Sequence, residues 1–257
     1  MARVVAIANQ KGGVGKTTTA INLAASVAVM ENKTLLIDLD PQGNTTSGLG
    51  FDKNSGRQMY QVMSGSCELA SVIRHTDVPF LSIVTAGPDL AGAEIELVGE
   101  MARESRLKDL LATVSARYDY IFIDCPPALG LITLNALVAS DSVLIPVQSE
   151  YYALEGLSEL IGTIGRVRDR LNPNLQIEGI LMTLVDIRTR LAREVISEVS
   201  THFGADVFDT WIPRNIKLSE APSHGKPILL YDIASSGAQS YLRLARELLE
   251  TRGGDRT

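Results

Sequence analysis

The strongest chemical signal in the chain is one short stretch, Lys11-Gly12-Gly13-Val14-Gly15-Lys16-Thr17-Thr18. Glycines let successive backbone N–H groups converge on an anion, and a helix starting directly after them adds the positive end of its dipole. Lys16 can then reach the terminal phosphates of a nucleotide, and the Thr17 hydroxyl can hold Mg²⁺. The plain phosphate-loop pattern, G-x-x-x-x-G-K-[ST], asks for glycine at position 10. This chain has Gln10 there and gains a second lysine, Lys11, at the head of the loop. Three acids stand where such a loop needs them. Asp38 and Asp40 flank the end of the apolar run Thr34-Leu35-Leu36-Ile37, and Asp124 ends Tyr118-Asp119-Tyr120-Ile121-Phe122-Ile123. An apolar strand ending in Asp, in a chain with a phosphate loop, reads as the second nucleotide motif, acting on Mg²⁺ directly or through a water.

Strand and helix patterns alternate along the whole chain. That predicts an α/β fold, a doubly wound, mainly parallel sheet with helices on both faces, as one domain over 1–257. Strands are expected at 4–8, 34–39, 81–85, 118–124, 142–147, 177–185 and 207–212. Helices are expected at 17–30, 154–171, 190–203 and 235–249, with a long helical stretch over 90–117 interrupted near Gly99. Thr45 to Gly50 reads as a polar loop, and 51–80 is poorly legible, with short helices near 58–63 and 69–73. A frayed tail is expected from about 252. In an open α/β sheet ligands bind at the carboxyl ends of the strands, where the loop and all three acids fall.

Composition narrows the class. Apolar residues make up 45% and charged residues 21% of 257, the balance of an ordinary globular protein. No apolar run reaches the length of a membrane span, and Met1-Ala2-Arg3 enters a strand without a signal-peptide core, so a cytoplasmic location is expected. Cys67 and Cys125 are too few for a disulfide framework and have no metal-ligand spacing; the three histidines are scattered. A net charge of −6 argues against a chain that is basic throughout. It leaves room for a local patch: Arg188, Arg190 and Arg193 surround one helix start, and Arg214, Lys217 and Lys226 lie in later loops.

The loop, Asp38-Leu39-Asp40-Pro41-Gln42-Gly43-Asn44 and Asp124-Cys125-Pro126-Pro127 together resemble the ParA/MinD group of P-loop ATPases. Four further stretches make the chain most similar to the chromosomal ParA (Soj) proteins. They are Leu90-Ala91-Gly92-Ala93-Glu94-Ile95-Glu96-Leu97, Glu150-Tyr151-Tyr152-Ala153-Leu154-Glu155-Gly156-Leu157, Ile212-Pro213-Arg214-Asn215 and the run from Leu218 to Pro227. The resemblance implies an ATPase that uses ATP and Mg²⁺ and forms a nucleotide-sandwich homodimer. It further implies non-specific binding to double-stranded DNA on the nucleoid and stimulation by a ParB-type partner. Gly12, Gly13, Val14, Gly15, Lys16, Thr17 and Thr18 would hold the nucleotide, with Pro213 and Asn215 at the adenine. Lys11 would reach the partner subunit's nucleotide, Asp40 would position the attacking water, and Asp38 would support the Mg²⁺ site. Arg188, Arg190 and Lys217 would contact DNA.

Three rival readings follow from the same loop. A MinD-like membrane ATPase needs a basic amphipathic C-terminal helix, whereas Tyr241 to Glu250 alternates acids and bases. An iron–sulfur reductase needs two suitably placed cysteines per subunit. A plasmid-type ParA carries an N-terminal helix-turn-helix, for which no room is expected ahead of a loop that opens at Asn9.

Overall fold

The computed structural model describes residues 1–150 and 153–250. Its centre is a seven-stranded sheet in the order β3-β4-β2-β5-β1-β6-β7. The strands are β1 Arg3–Ile7, β2 Thr34–Asp38, β3 Ile73–His75, β4 Leu81–Val84, β5 Tyr120–Asp124, β6 Ser142–Gln148 and β7 Gln176–Thr183. All neighbours are parallel except β3, an antiparallel edge on β4. The α-helices are α1 Lys16–Ala28, α2 Asn44–Gly48, α3 Met59–Met63, α4 Leu90–Glu96, α5 Arg106–Ala112, α6 Leu131–Ala139, α7 Ala153–Arg170, α8 Arg190–Phe203, α9 Ile216–Glu220, α10 Ile228–Tyr231 and α11 Ser236–Glu250.

The continuous apolar strands are explained by burial on both faces. Along β1, Val4 and Ala6 belong to one apolar cluster and Val5 and Ile7 to the other. The same alternation runs through Ile121/Ile123 against Tyr120/Phe122, whose rings stack at 5.8 Å. Helices α1 and α11 cover the second face, with Tyr241 O–H and Thr19 Oγ1 3.2 Å apart between them. Because α1 lies between the sheet and α11, eleven of its thirteen residues are buried, and it shows little amphipathic pattern.

Two expectations are corrected and a third is sharpened. The 45–50 stretch is mostly helical, forming α2, since Gly43 and the Asp38 carboxylate organise the turn before it. The 90–117 stretch is interrupted at Gly99 as expected: α4 and α5 are separated by short 3₁₀ turns, and Ala102 adopts a left-handed φ of 53°. Residues 207–212 form no strand. Glu247 accepts the N–H groups of Asp209 and Thr210, so only isolated bridges, Ile180 to Val207 and Val185 to Pro213, remain. The expected tail from 252, with Tyr151 and Tyr152, lies outside the described residues.

Candidate nucleotide site

The phosphate loop spans the gap between the end of β1 and the start of α1. Asn9 is buried at its entrance, donating from Nδ2 to the Pro146 carbonyl on β6 (2.7 Å) and accepting the Lys11 N–H (2.9 Å). Gly13 and Gly15 take left-handed φ values of 77° and 86°, which a side chain would strain. Gly15 is the N-cap of α1 and offers no capping side chain. Its carbonyl accepts the Thr19 N–H, so the amides of Lys16, Thr17 and Thr18 precede the first intrahelical bond. At the far side Thr183 Oγ1, at the end of β7, donates to the Val14 carbonyl (2.7 Å). The loop is thus strung between β6 and β7, beyond what a local motif reveals.

Lys16 is only 7% exposed and donates from Nζ to the Lys11 carbonyl (3.0 Å). Burial lowers its pKa, against the opposing pull of Asp124 and Asp40. An anionic phosphate beside Nζ would relieve that cost.

The register puts Ile7, Asp38 and Asp124 side by side across β1, β5 and β2. Asp124 Oδ2 accepts from Thr17 Oγ1 (2.9 Å) and Thr45 Oγ1 (2.7 Å), while its buried Oδ1 has no partner among the described residues. Burial raises the pKa of this carboxylate, and the two hydroxyls only partly offset it. An orphaned carboxylate oxygen beside a phosphate-loop hydroxyl is a hard-oxygen donor set suited to Mg²⁺, with waters completing the shell. Thr17 and Asp124 are the residues that would hold the ion.

Asp38 does something different. Its Oδ1 accepts the Asp40 N–H (3.1 Å), and its Oδ2 accepts both the N–H (2.9 Å) and the hydroxyl (2.7 Å) of Thr46. Burial and nearby Asp124 raise its pKa. It braces the 40–46 turn, which is indirect support for the metal rather than ligation. Asp40, 8% exposed, accepts the Gln42 N–H on Oδ1 (2.9 Å) and leaves Oδ2 uncontacted among the described residues. That oxygen suits the positioning of a water.

Lys11 lies at the rim, its side chain 44% exposed, and pairs with Glu150 at the end of β6. Pro213 forms the isolated bridge to Val185, and the Arg214 N–H binds the Val185 carbonyl (3.0 Å). Asn215 caps α9, accepting the Lys217 N–H (2.8 Å) and donating to Ser236 (2.7 Å). Its amide is engaged on both its oxygen and its nitrogen. Thr45, Thr46, Asn9, Thr183 and Glu150 are missed by sequence reasoning. A hydroxyl run beside Asp40-Pro41-Gln42-Gly43 is the one signal that could have found the first two.

The nominated basic residues are each paired with a nearby acid. Arg188 forms a two-bond pair with Asp186 (2.8 and 2.7 Å), Arg190 pairs with Glu194 (2.6 Å), and Lys217 with Glu220 (2.9 Å). All three basic pKa values are raised by these partners. Arg193, Arg214 and Lys226 have no ion pair among the described residues.

Comparison with known proteins agrees with the geometry. A family model described as an AAA domain matches residues 2–177. The chain is 55% identical, over 96% of its length and 88% of the relative, to "Chromosome partitioning protein ParA" of Myxococcus xanthus. It is 53% identical, over 98% and 99%, to "Chromosome-partitioning ATPase Soj" of Treponema pallidum. A crystal structure titled as cobyrinic acid a,c-diamide synthase from Mycobacterium smegmatis superposes with a TM-score of 0.88 at 36% identity. It spans 100% of this chain and 97% of that one, and it contains ADP and magnesium.

Proposed function

The chain belongs to the ParA/Soj family of P-loop ATPases, and on that premise we propose that it is an ATP-dependent DNA-partitioning switch. ATP with Mg²⁺ binds at Gly12 to Thr18, Thr17 and Asp124 hold the ion, and Pro213 with Asn215 borders the adenine. Bound Mg²⁺ would neutralise charge on the phosphates. Lys16 holds the terminal phosphates against the loop, and Asp40 orients the attacking water.

The observation that carries the reading is Lys11. A phosphate loop is complete for binding with Lys16 alone, yet a second ammonium stands half-exposed at its rim. Pointed at a second subunit's nucleotide, it makes a homodimer depend on ATP, with charge supplied in trans. Two copies of a modest basic surface then bind double-stranded DNA that one copy holds weakly, without sequence preference and with strong salt dependence. Slow hydrolysis, accelerated by a ParB-type protein, releases the subunits from the nucleoid within the cytoplasm.

A MinD-like membrane role is the weaker reading. It needs a free amphipathic helix, and Tyr241, Leu244, Ala245 and Leu248 of α11 are buried on the domain. Among the described residues no helix is long and apolar enough to cross a membrane.

The experiment is gel filtration with light scattering plus DNA binding, in ATP and in ADP, on the wild type and Asp40→Ala. The reading requires an ATP-only dimer that binds DNA, and a variant that stays dimeric on DNA. A monomer in both nucleotides overturns it.

A further inference from the structure

The six-residue loop from Cys125 to Gly130 leaves the magnesium carboxylate Asp124 and runs into α6. Its near end is tied to the sheet, the Cys125 N–H donating to the Ile7 carbonyl (3.2 Å). Pro126 and Pro127 stiffen it by fixing two φ angles. Thr133 Oγ1 donates to the Ala128 carbonyl (2.5 Å). The far end should be anchored by the N-cap of α6, but that cap is Gly130, which has no side chain to offer.

Glu94 of α4 fills the gap from elsewhere in the chain. Its Oε1 accepts the Leu131 N–H, the first orphan donor of α6, at 2.7 Å. A carboxylate at a helix N-terminus is also favoured by the dipole. The fit is close: a Cβ added at Gly130 would lie 1.8 Å from Glu94 Oε1. The φ of Gly130 is −84°, open to any residue, so its glycine is explained by this carboxylate rather than by the backbone.

The other end of α4 leads back to the first acidic loop. Just before it, the Ala86 N–H donates to Thr46 Oγ1 (2.9 Å), and that hydroxyl donates to Asp38 Oδ2 (2.7 Å). Next door, Thr45 Oγ1 donates to Asp124 (2.7 Å). The chain of contacts therefore closes a ring: Asp38, Thr46, Ala86, α4, Glu94, Leu131, the 125–130 loop, Asp124, Thr45.

We propose that Glu94 is a positioning residue for ATP hydrolysis, closing this ring so that the Asp40 and Asp124 loops hold one relative posture. The proposal rests on the ATPase reading and on no part of the dimer or DNA reading. Glu94 makes no hydrogen bond to the phosphate loop, so its loss should spare binding and slow the reaction.

The test measures ATP affinity, single-turnover hydrolysis and melting temperature on the full chain. Glu94→Ala should keep the ATP Kd within about twofold and slow hydrolysis about five- to tenfold, since small misplacements remote from the chemistry can reach larger factors. Glu94→Gln retains the accepting oxygen and should recover to within about twofold of wild type. Gly130→Ala should reproduce Glu94→Ala. Combining the two should slow hydrolysis no further, because both break one contact.

An unchanged rate in Glu94→Ala, additive effects in the double variant, a failed glutamine rescue, or a parallel loss of ATP affinity each overturns the proposal. Wild-type protein that binds no ATP or hydrolyses none refutes the ATPase reading instead, so the two failures are told apart.

Discussion

The phosphate end of the sheet and the basic C-terminal surface both consist of charged side chains, yet they are built in opposite ways. At the sheet edge the charges are buried and braced from a distance. Asp124 is fixed by hydroxyls 107 and 79 residues away, and the loop is tied to strands 137 and 169 residues on. On the basic surface the charges are exposed and answered locally, Arg188 by an acid two residues back and Lys217 by one three residues on. Long-range bracing makes a site with fixed geometry. Local pairing makes a surface whose strength depends on which partner wins the charge, and exposed pairs contribute only about 0–1 kcal/mol.

The largest test of this contrast is Lys16→Ala. Removing a buried ammonium among braced donors should weaken ATP binding at least about 100-fold, measured by titration of a fluorescent analogue. Retained affinity would break the assignment of the loop. Asp40→Ala comes next: bound ATP should persist while hydrolysis falls on the order of 100-fold, read in a single-turnover assay, and dimers should accumulate on DNA. Lys11→Ala should bind ATP about as well as wild type yet stay monomeric by light scattering.

The surface should respond more gently. Replacing Arg193, Arg214 and Lys226, which form no ion pair within 4 Å among the described residues, with Ala should lower DNA affinity about tenfold and flatten its salt dependence. Replacing Arg188, Arg190 and Lys217, each held by an acid, should change it about threefold or less. The reverse ranking, by fluorescence anisotropy at two salt concentrations, would remove the basis for separating the two groups. The smallest effect is expected at Glu150→Gln. It frees Lys11 from an exposed pair and should tighten the ATP dimer by no more than about twofold.

What the sequence could disclose divides along the same line. The sheet was legible because burial on both faces leaves strands such as Tyr120–Asp124 and Thr34–Asp38 little choice of residue. The phosphate loop was legible because its chemistry is local, carried by backbone amides and one lysine. The 207–212 stretch misled because its strand-like pattern is overruled by Glu247, some 38 residues away. The hydrogen-bond partners of Asp38 and Asn215 could not be read in advance, since they depend on how α2 and α9 are laid down. The basic residues were visible as charges, and their partners were not. Glu94 lay in plain sight in a family-like stretch, but its connection to Gly130 exists only after folding.

The packing of α1 between the sheet and α11 also bears on the order in which the protein can be made. On the ribosome the phosphate loop emerges together with β1 and ahead of the other described elements. The strands that flank β1 follow more than 110 residues later, and α11, which covers α1 through Tyr241, is the last described element. A nascent chain therefore carries its binding motif long before it carries a binding site. The ties that set the loop's shape, to Pro146 and Thr183, can form only once β6 and β7 have followed.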